Sequence, residues 1–192
     1  MSSTLTGHRA IITVSAINIL LSITAFLGNA LIIAALPKAS FLHTPSKFLL
    51  GCLASTDLCV GLVAQPLYVI YLLSSKCFKH CYYSFLLFIS TCSIFCGVSL
   101  MTLTAISMDR LLAVLLGLRY RQVITLRRVW ILEVTIWLLN TAIAVMLHYI
   151  SFYALSISSV VAILCVIVSA CCFMKIYRTL HHHQAQVQHH VR

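Results

Sequence analysis

The chain has 192 residues, of which 13 are Lys or Arg, only 3 are Asp or Glu, and 61% are hydrophobic. Its mean hydropathy is +1.04. A water-soluble domain of this size would leave much of that apolar material on its surface, so composition excludes one and requires a membrane protein.

A bilayer core of roughly 30 Å takes about 20 helical residues to cross. The first uncharged run, residues 11–37, is long enough to span with some tilt. It follows a ten-residue N-terminus holding Arg9, and is too long for the apolar core of a cleaved signal peptide. A second span covers about 46–73 and, apart from Lys47 at its very start, contains one charge, Asp57. The third, about 81–114, takes in nearly all of an uncharged run of 29 residues from His80 to Met108, and that run ends in Asp109-Arg110. Arg127-Arg128 precede a fourth span at about 130–148, and a fifth is expected at about 153–178. His148, Tyr149 and Tyr153 suit an interface belt, so the turn between these two is placed near 149–153.

The expectation is an all-α, polytopic transmembrane bundle of five spans over residues 11–180, with a His-rich tail at 181–192. A β-barrel is excluded because the apolar runs lack period-two alternation. No internal repeat is visible. Ten basic residues follow spans one, three and five, against three (Arg9, Lys76, Lys79) on the other side. That bias puts the N-terminus outside and the tail in the cytosol. The net charge of +10 is then explained by anionic lipid in the cytosolic leaflet, without nucleic acid.

Seven of the nine cysteines fall inside spans, where a thiol behaves as a small apolar group. Cys77 and Cys81 lie at the outer side, where a disulfide between them would be tight. The histidine tail, from His181 to His190, reads as a solvated end, since it has no Cys or acid to complete a metal site.

The polar residues within the spans carry the functional signal. Asp57 sits about eleven residues into its helix, roughly 16 Å deep. A carboxylate there must face the bundle interior. Asn29 in span one and Ser99 in span three fall at comparable depth, and the three form a candidate hydrated network. A neutral Asp57 that serves packing alone remains the other reading. Glu133 is placed near the cytosolic mouth of span four. Asp109 and Arg110 are adjacent, so they do not share a helix face. Asp109 can meet Tyr120 or a basic loop residue while Arg110 turns under the bundle or snorkels to the interface.

Several motifs, in the right order, resemble the rhodopsin-like (class A) G protein-coupled receptors. Gly28-Asn29 resembles the signature of helix one, and Leu53-Ala54-Ser55-Thr56-Asp57, preceded by Leu42-His43-Thr44-Pro45, resembles that of helix two. The run from Ser99 to Arg110 resembles the end of helix three. Trp137 matches the helix-four tryptophan, and Lys175 to Leu180 resembles the inner end of helix five. The adenosine, cannabinoid and melanocortin group is the nearest part of the family. The resemblance implies five spans of a seven-helix fold at the plasma membrane, and a receptor that passes an extracellular signal to a heterotrimeric G protein. By it Arg110 is the coupling switch, held at rest by Asp109, and Asn29, Asp57 and Ser99 form a polar network that can hold a sodium ion. No other cofactor is implied. Cys92, Ser93 and Cys96 stand where a ligand pocket would open, without the aspartate that an amine ligand needs.

Departures from the family pattern are Leu111 for tyrosine, Phe85 for the helix-three cysteine, Cys165 for proline, Phe173 for tyrosine and Lys47 for asparagine. Helices six and seven are not in the sequence, so coupling is expected only if they are supplied, and retention inside the cell is expected otherwise. A second reading is a non-signalling five-helix partner that associates with full-length receptors. A transporter would show an inverted repeat or broken helices, yet only Pro66 interrupts a span. An enzyme is not expected, because the spans hold no nucleophile–base pair.

Overall fold

The computed structural model describes the backbone of residues 2–39, 42–73, 78–149 and 151–191. Its helices are α1 (Ser2–Ala35), α2 (Thr44–Cys59), α3 (Gln65–Leu73), α4 (Phe78–Leu116), α5 (Tyr120–Val123), α6 (Leu126–Tyr149) and α7 (Ser151–Val191). Among the described residues, five stretches are long and apolar enough to cross a membrane: Arg9–Lys38, Thr44–Leu73, Tyr83–Leu116, Leu126–Met146 and Ser156–His182. They are spans one to five below. Span two is built from α2 and α3 together. Span four begins four residues before the position read from sequence, because Arg127 and Arg128 fit in its first turn, where long basic side chains can reach the interface. Backbone helix continues past span five to Val191. Residue 150, within the stretch where the turn is expected, Cys77, and the side chains of Cys81, His148 and Tyr149 lie outside the described residues. So do the tail side chains from His183 onward.

Span three is the centre of the bundle and packs against spans two, four and five, while span one packs on span two. Leu49, Ala54, Val98, Ile136 and Ala144 form the contact surfaces. Large apolar side chains such as Leu31, Leu138 and Ile163 point outward, as a lipid solvent allows. Several of the most enclosed residues are polar: Ser46, Thr56, Thr102, Ser107, Asp109, Glu133 and Asn140. This arrangement is expected of a bundle in hydrocarbon, where a polar group has partners only inside. Exposed hydroxyls use their own helix, as Thr13, Ser55, Thr135 and Thr141 do in bonding to the carbonyl four residues earlier.

Span two is not a regular helix. Residues Val60–Ala64 form a π-helical turn, closed by the Gln65 N–H donating to the Val60 carbonyl. Pro66 supplies the cause: it has no N–H to offer, and its ring would strike the carbonyl four residues back. The wider turn removes that clash. Span one then satisfies the loosened backbone, with Ser22 Oγ donating to the Gly61 carbonyl at 2.6 Å and Asn18 Nδ2 to the Gln65 carbonyl at 2.9 Å. Gly61 makes this approach feasible, since a Cβ there would lie 3.1 Å from the Ser22 carbonyl oxygen.

Cys165 takes the place where a proline would remove a backbone donor, and α7 runs unbroken through it. Thr104 of span three donates to its carbonyl at 3.4 Å and accepts from Ser169 at 3.3 Å. Phe85, at the position of the missing outer cysteine, stacks on Tyr71 with ring centroids 5.1 Å apart. Phe173 is exposed.

Candidate functional site

Three polar clusters lie along span three, each joining it to different neighbours. The deepest is centred on Asp57. Ser99 Oγ donates to Asp57 Oδ1 at 2.6 Å and lies 2.8 Å from Thr56 Oγ1. Thr56 is buried and turns its own proton back to the Leu53 carbonyl at 2.8 Å. A carboxylate and two hydroxyls on two helices therefore meet in one place. This is a set of hard oxygen donors, the kind that suits an alkali or alkaline-earth cation. Asn29 does not join them: its Nδ2 donates within its own helix, to the Ala25 carbonyl at 2.8 Å.

Below this network, span three reaches span four through a pair that sequence reasoning placed wrongly. Thr102, fully buried, donates to Glu133 Oε1 at 2.9 Å, and the other Glu133 oxygen is buried without a hydrogen-bond partner. Glu133 is thus an interior residue, not one at the cytosolic mouth. Because α6 starts at Leu126, it stands seven residues into the helix, about 10 Å from its end. Thr102 is three positions after Ser99, so this second acid lies one helical turn from the Asp57 network.

The cytosolic cluster is closed and tight. Asp109 is buried, and its two oxygens are taken by different partners. Ser46 Oγ donates to Oδ2 at 2.7 Å and the Tyr120 hydroxyl to Oδ1 at 2.6 Å, while Ser46 and Tyr120 lie 3.1 Å apart. Two local features bring them together. Pro45 sits in the first turn of α2, where its missing N–H costs nothing, and sets Ser46 beneath the bundle. After α4 the chain reverses at Gly117, whose φ of +50° favours glycine, and α5 carries Tyr120 back under span three. The His43 ring meets the Tyr120 ring edge-on at 5.6 Å. Burial, and then the hydrogen bond to Asp109, raise the Tyr120 pKa above its ordinary value, so the phenol remains a donor. Arg110 is exposed, and Ser46 and Tyr120, not Arg110, hold the Asp109 carboxylate.

Toward the outer side, Cys92, Ser93 and Cys96 line a cavity of about 360 Å³ between spans three, four and five. The two sulfurs are 3.6 Å apart. Asn140 of span four shares this cavity; its Nδ2 donates to the Ile136 carbonyl at 2.8 Å. Gly97 lies directly against it, and a Cβ at Gly97 would collide with the Asn140 amide oxygen. Trp137, one turn before Asn140, packs edge-on against Phe95 of span three with centroids 6.0 Å apart.

Comparison with known proteins decides the lineage. The family described as the 7 transmembrane receptor (rhodopsin family) matches residues 28–152, from the glycine before Asn29 through all three clusters. The chain belongs to the rhodopsin-like receptor family. It is therefore a multi-pass membrane protein of a receptor lineage and not an enzyme. Among individual relatives, the adenosine A3 receptor of Bos taurus is 35% identical over 131 residues, which is 68% of this chain and 40% of that receptor. The adenosine A2b receptor of Rattus norvegicus is 33% identical over 128 residues, 65% of this chain and 36% of the relative. The human 5-hydroxytryptamine receptor 1E is 28% identical over 116 residues, 60% of this chain and 32% of the relative. The rhodopsin-like segment thus spans well under half the length of the curated relatives it matches.

Proposed function

We propose that this chain is the first five helices of a working receptor unit, which takes an extracellular ligand and drives a heterotrimeric G protein from the cytosolic face. The observation that carries this reading is the Ser99–Asp57 bond, which ties spans two and three at mid-membrane inside the segment that matches the family. A polar contact of this kind holds two helices in one arrangement until its charge or hydration changes, as a two-state element requires. Asp57, Ser99 and Thr56 would hold a sodium ion, which supplies a positive charge beside the carboxylate. Arg110, exposed beneath the bundle, is the residue offered to the G protein. Asp109, Ser46 and Tyr120 shape the loop around it. The cavity at Cys92, Ser93 and Cys96 is the ligand side, and Trp137, packed on Phe95, holds span four against span three, while Asn29 bonds within span one. The N-terminus lies outside and the location is the plasma membrane.

The test joins the chain in frame to helices six and seven of an adenosine receptor and measures G protein activation and surface abundance. Arg110→Ala is expected to reduce activation at least ten-fold with surface abundance preserved, and Asp57→Asn to remove any sodium dependence of ligand affinity. Equal loss of surface abundance in both variants would point to packing alone and overturn the assignment.

The half-buried state of Asp57 in these five spans favours a second reading, in which its open side meets another receptor. The chain would then act as a non-signalling partner that alters the trafficking of a full-length relative. Co-expression separates the two: a partner changes the surface abundance of the relative, and a receptor unit does not.

A further inference from the structure

Span three carries two cysteines whose sulfur chemistry none of the three polar clusters uses. Cys92 and Cys96 are four residues apart, so their side chains stand on one helix face, and both thiols are free. Ser99 continues that face three residues further on, which sets the sulfurs about one turn outward from the oxygens around Asp57. One face of one helix thus presents two donor sets of opposite hardness, sulfur above oxygen.

The two thiols are spaced for a bridging atom and not for a direct bond. Positions four apart on an α-helix keep their Cβ atoms about 5–6 Å apart, whereas a disulfide needs about 3.5–4.5 Å. Oxidation of this pair would have to distort α4 within the membrane, where its backbone groups have no other partners. A single ion between the sulfurs asks for no such change. The Sγ atoms lie 3.6 Å apart. Two zinc–sulfur bonds of about 2.3 Å meeting at the tetrahedral angle span about 3.8 Å, so the match is within about 0.2 Å. An ion that takes two ligands in a straight line would need roughly 4.6 Å for the same bond length. The bent geometry therefore selects a tetrahedral thiophilic ion.

Charge and access agree with this choice. Two thiolates cancel the charge of one divalent cation, and a neutral site is the kind least penalised inside a membrane. Both cysteines line the cavity of about 360 Å³ between spans three, four and five, and Cys96 is exposed, so an ion has a way in. Among the described residues no group of three or more His, Cys, Asp or Glu side chains forms. The two remaining positions of the tetrahedron are therefore left to water or to a donor atom entering the cavity.

We propose that Cys92 and Cys96 bind one Zn²⁺ ion through their sulfurs. Each thiol gives its proton to solvent as the ion enters, so two protons leave for the two positive charges gained. The ion ties two successive turns of span three together and presents a Lewis acid to the cavity.

The experiment uses the full chain, reduced and freed of metal in detergent, with Co²⁺ as the probe. Cys77 and Cys81 share the same spacing in the sequence, so the measurements are made with Cys77→Ser present. Co²⁺ bound to thiolate gives a sulfur-to-metal charge-transfer band in the near ultraviolet, to which ions held by the histidine tail do not contribute. The band is expected to appear on titration and to be bleached by Zn²⁺. Cys92→Ser and Cys96→Ser should each weaken binding by at least about ten-fold, the lower end of what losing even an outer-shell partner costs, with helical circular dichroism unchanged. A second measurement keeps both cysteines: Zn²⁺ should protect Cys92 and Cys96 together from alkylation, mapped by mass spectrometry. Absence of the band, a band that survives either substitution, failure of Zn²⁺ to bleach it, or alkylation of the pair unaffected by Zn²⁺ would each overturn the proposal. None of these readouts involves an agonist or a G protein, so the result stands apart from the receptor function proposed above.

Discussion

At the scale of single residues, the Asp109 cluster makes the sharpest prediction. Tyr120→Phe leaves one buried carboxylate oxygen without its donor, a loss of about 1–3 kcal/mol, readable as a lower melting temperature in detergent. The effect has a pH signature. The Tyr120 pKa is raised above 10, so the contribution of the neutral phenol is complete below 10 and is lost only as pH climbs through the higher folded value. The wild-type chain should thus lose stability from this group only in strong alkali, and Tyr120→Phe should remove that loss; a parallel loss in both would sink the assignment. How much of this was legible in sequence varied by residue. The approach of Ser99 to Asp57 followed from counting depth along two helices. The isolation of Asn29 did not, because a short amide can satisfy itself on its own helix turn. Glu133 was misplaced by a helix start set four residues late, which shifts depth by about 6 Å. Gly97 against Asn140 had no signal at all: a glycine in an apolar run does not say which neighbour needs the room.

At the scale of elements, the five spans were readable because uncharged length is a strong signal, whereas the shape of span two was not. Pro66 announced an interruption, but whether a proline kinks, breaks or widens a helix depends on which neighbour satisfies the freed carbonyls. Here Ser22 does so at the Gly61 carbonyl, from a different span, and Asn18 adds a bond to the Gln65 carbonyl. The close approach at Gly61 gives a test. Gly61→Leu must push against the Ser22 carbonyl and Ala25, and is expected to cost about 1–3 kcal/mol. Gly28→Leu, where a Cβ would meet nothing within 4 Å, should be close to neutral. Comparable melting temperatures for the two variants would show that spans one and two do not pack as described.

For the whole molecule, the distribution of charge gives a prediction independent of any ligand. Ten of the thirteen basic residues lie at one end of the spans or in the segments that join them there, so a glycan acceptor inserted in residues 2–8 should be modified in cells, and one placed after residue 182 should not. The reverse pattern would invert the orientation. The inside-out plan was legible too, since few polar residues were available and most had to be interior. Their pairing was not, because it depends on which helices adjoin.

The widened turn of span two also bears on how this chain is set beside its relatives. A π turn accommodates one residue more than the α-helix it replaces, which turns everything beyond Ala64 by about 100° relative to a straight continuation. Counting outward from Asp57 without a gap would therefore pair Tyr68 and Tyr71 with positions on the wrong side of any relative whose helix two is regular. An alignment needs a one-residue gap between positions 60 and 64. Only then do the aromatic rings of Tyr68 on Phe88 and Tyr71 on Phe85 fall against span three, where equivalent side chains of a relative would have to be sought.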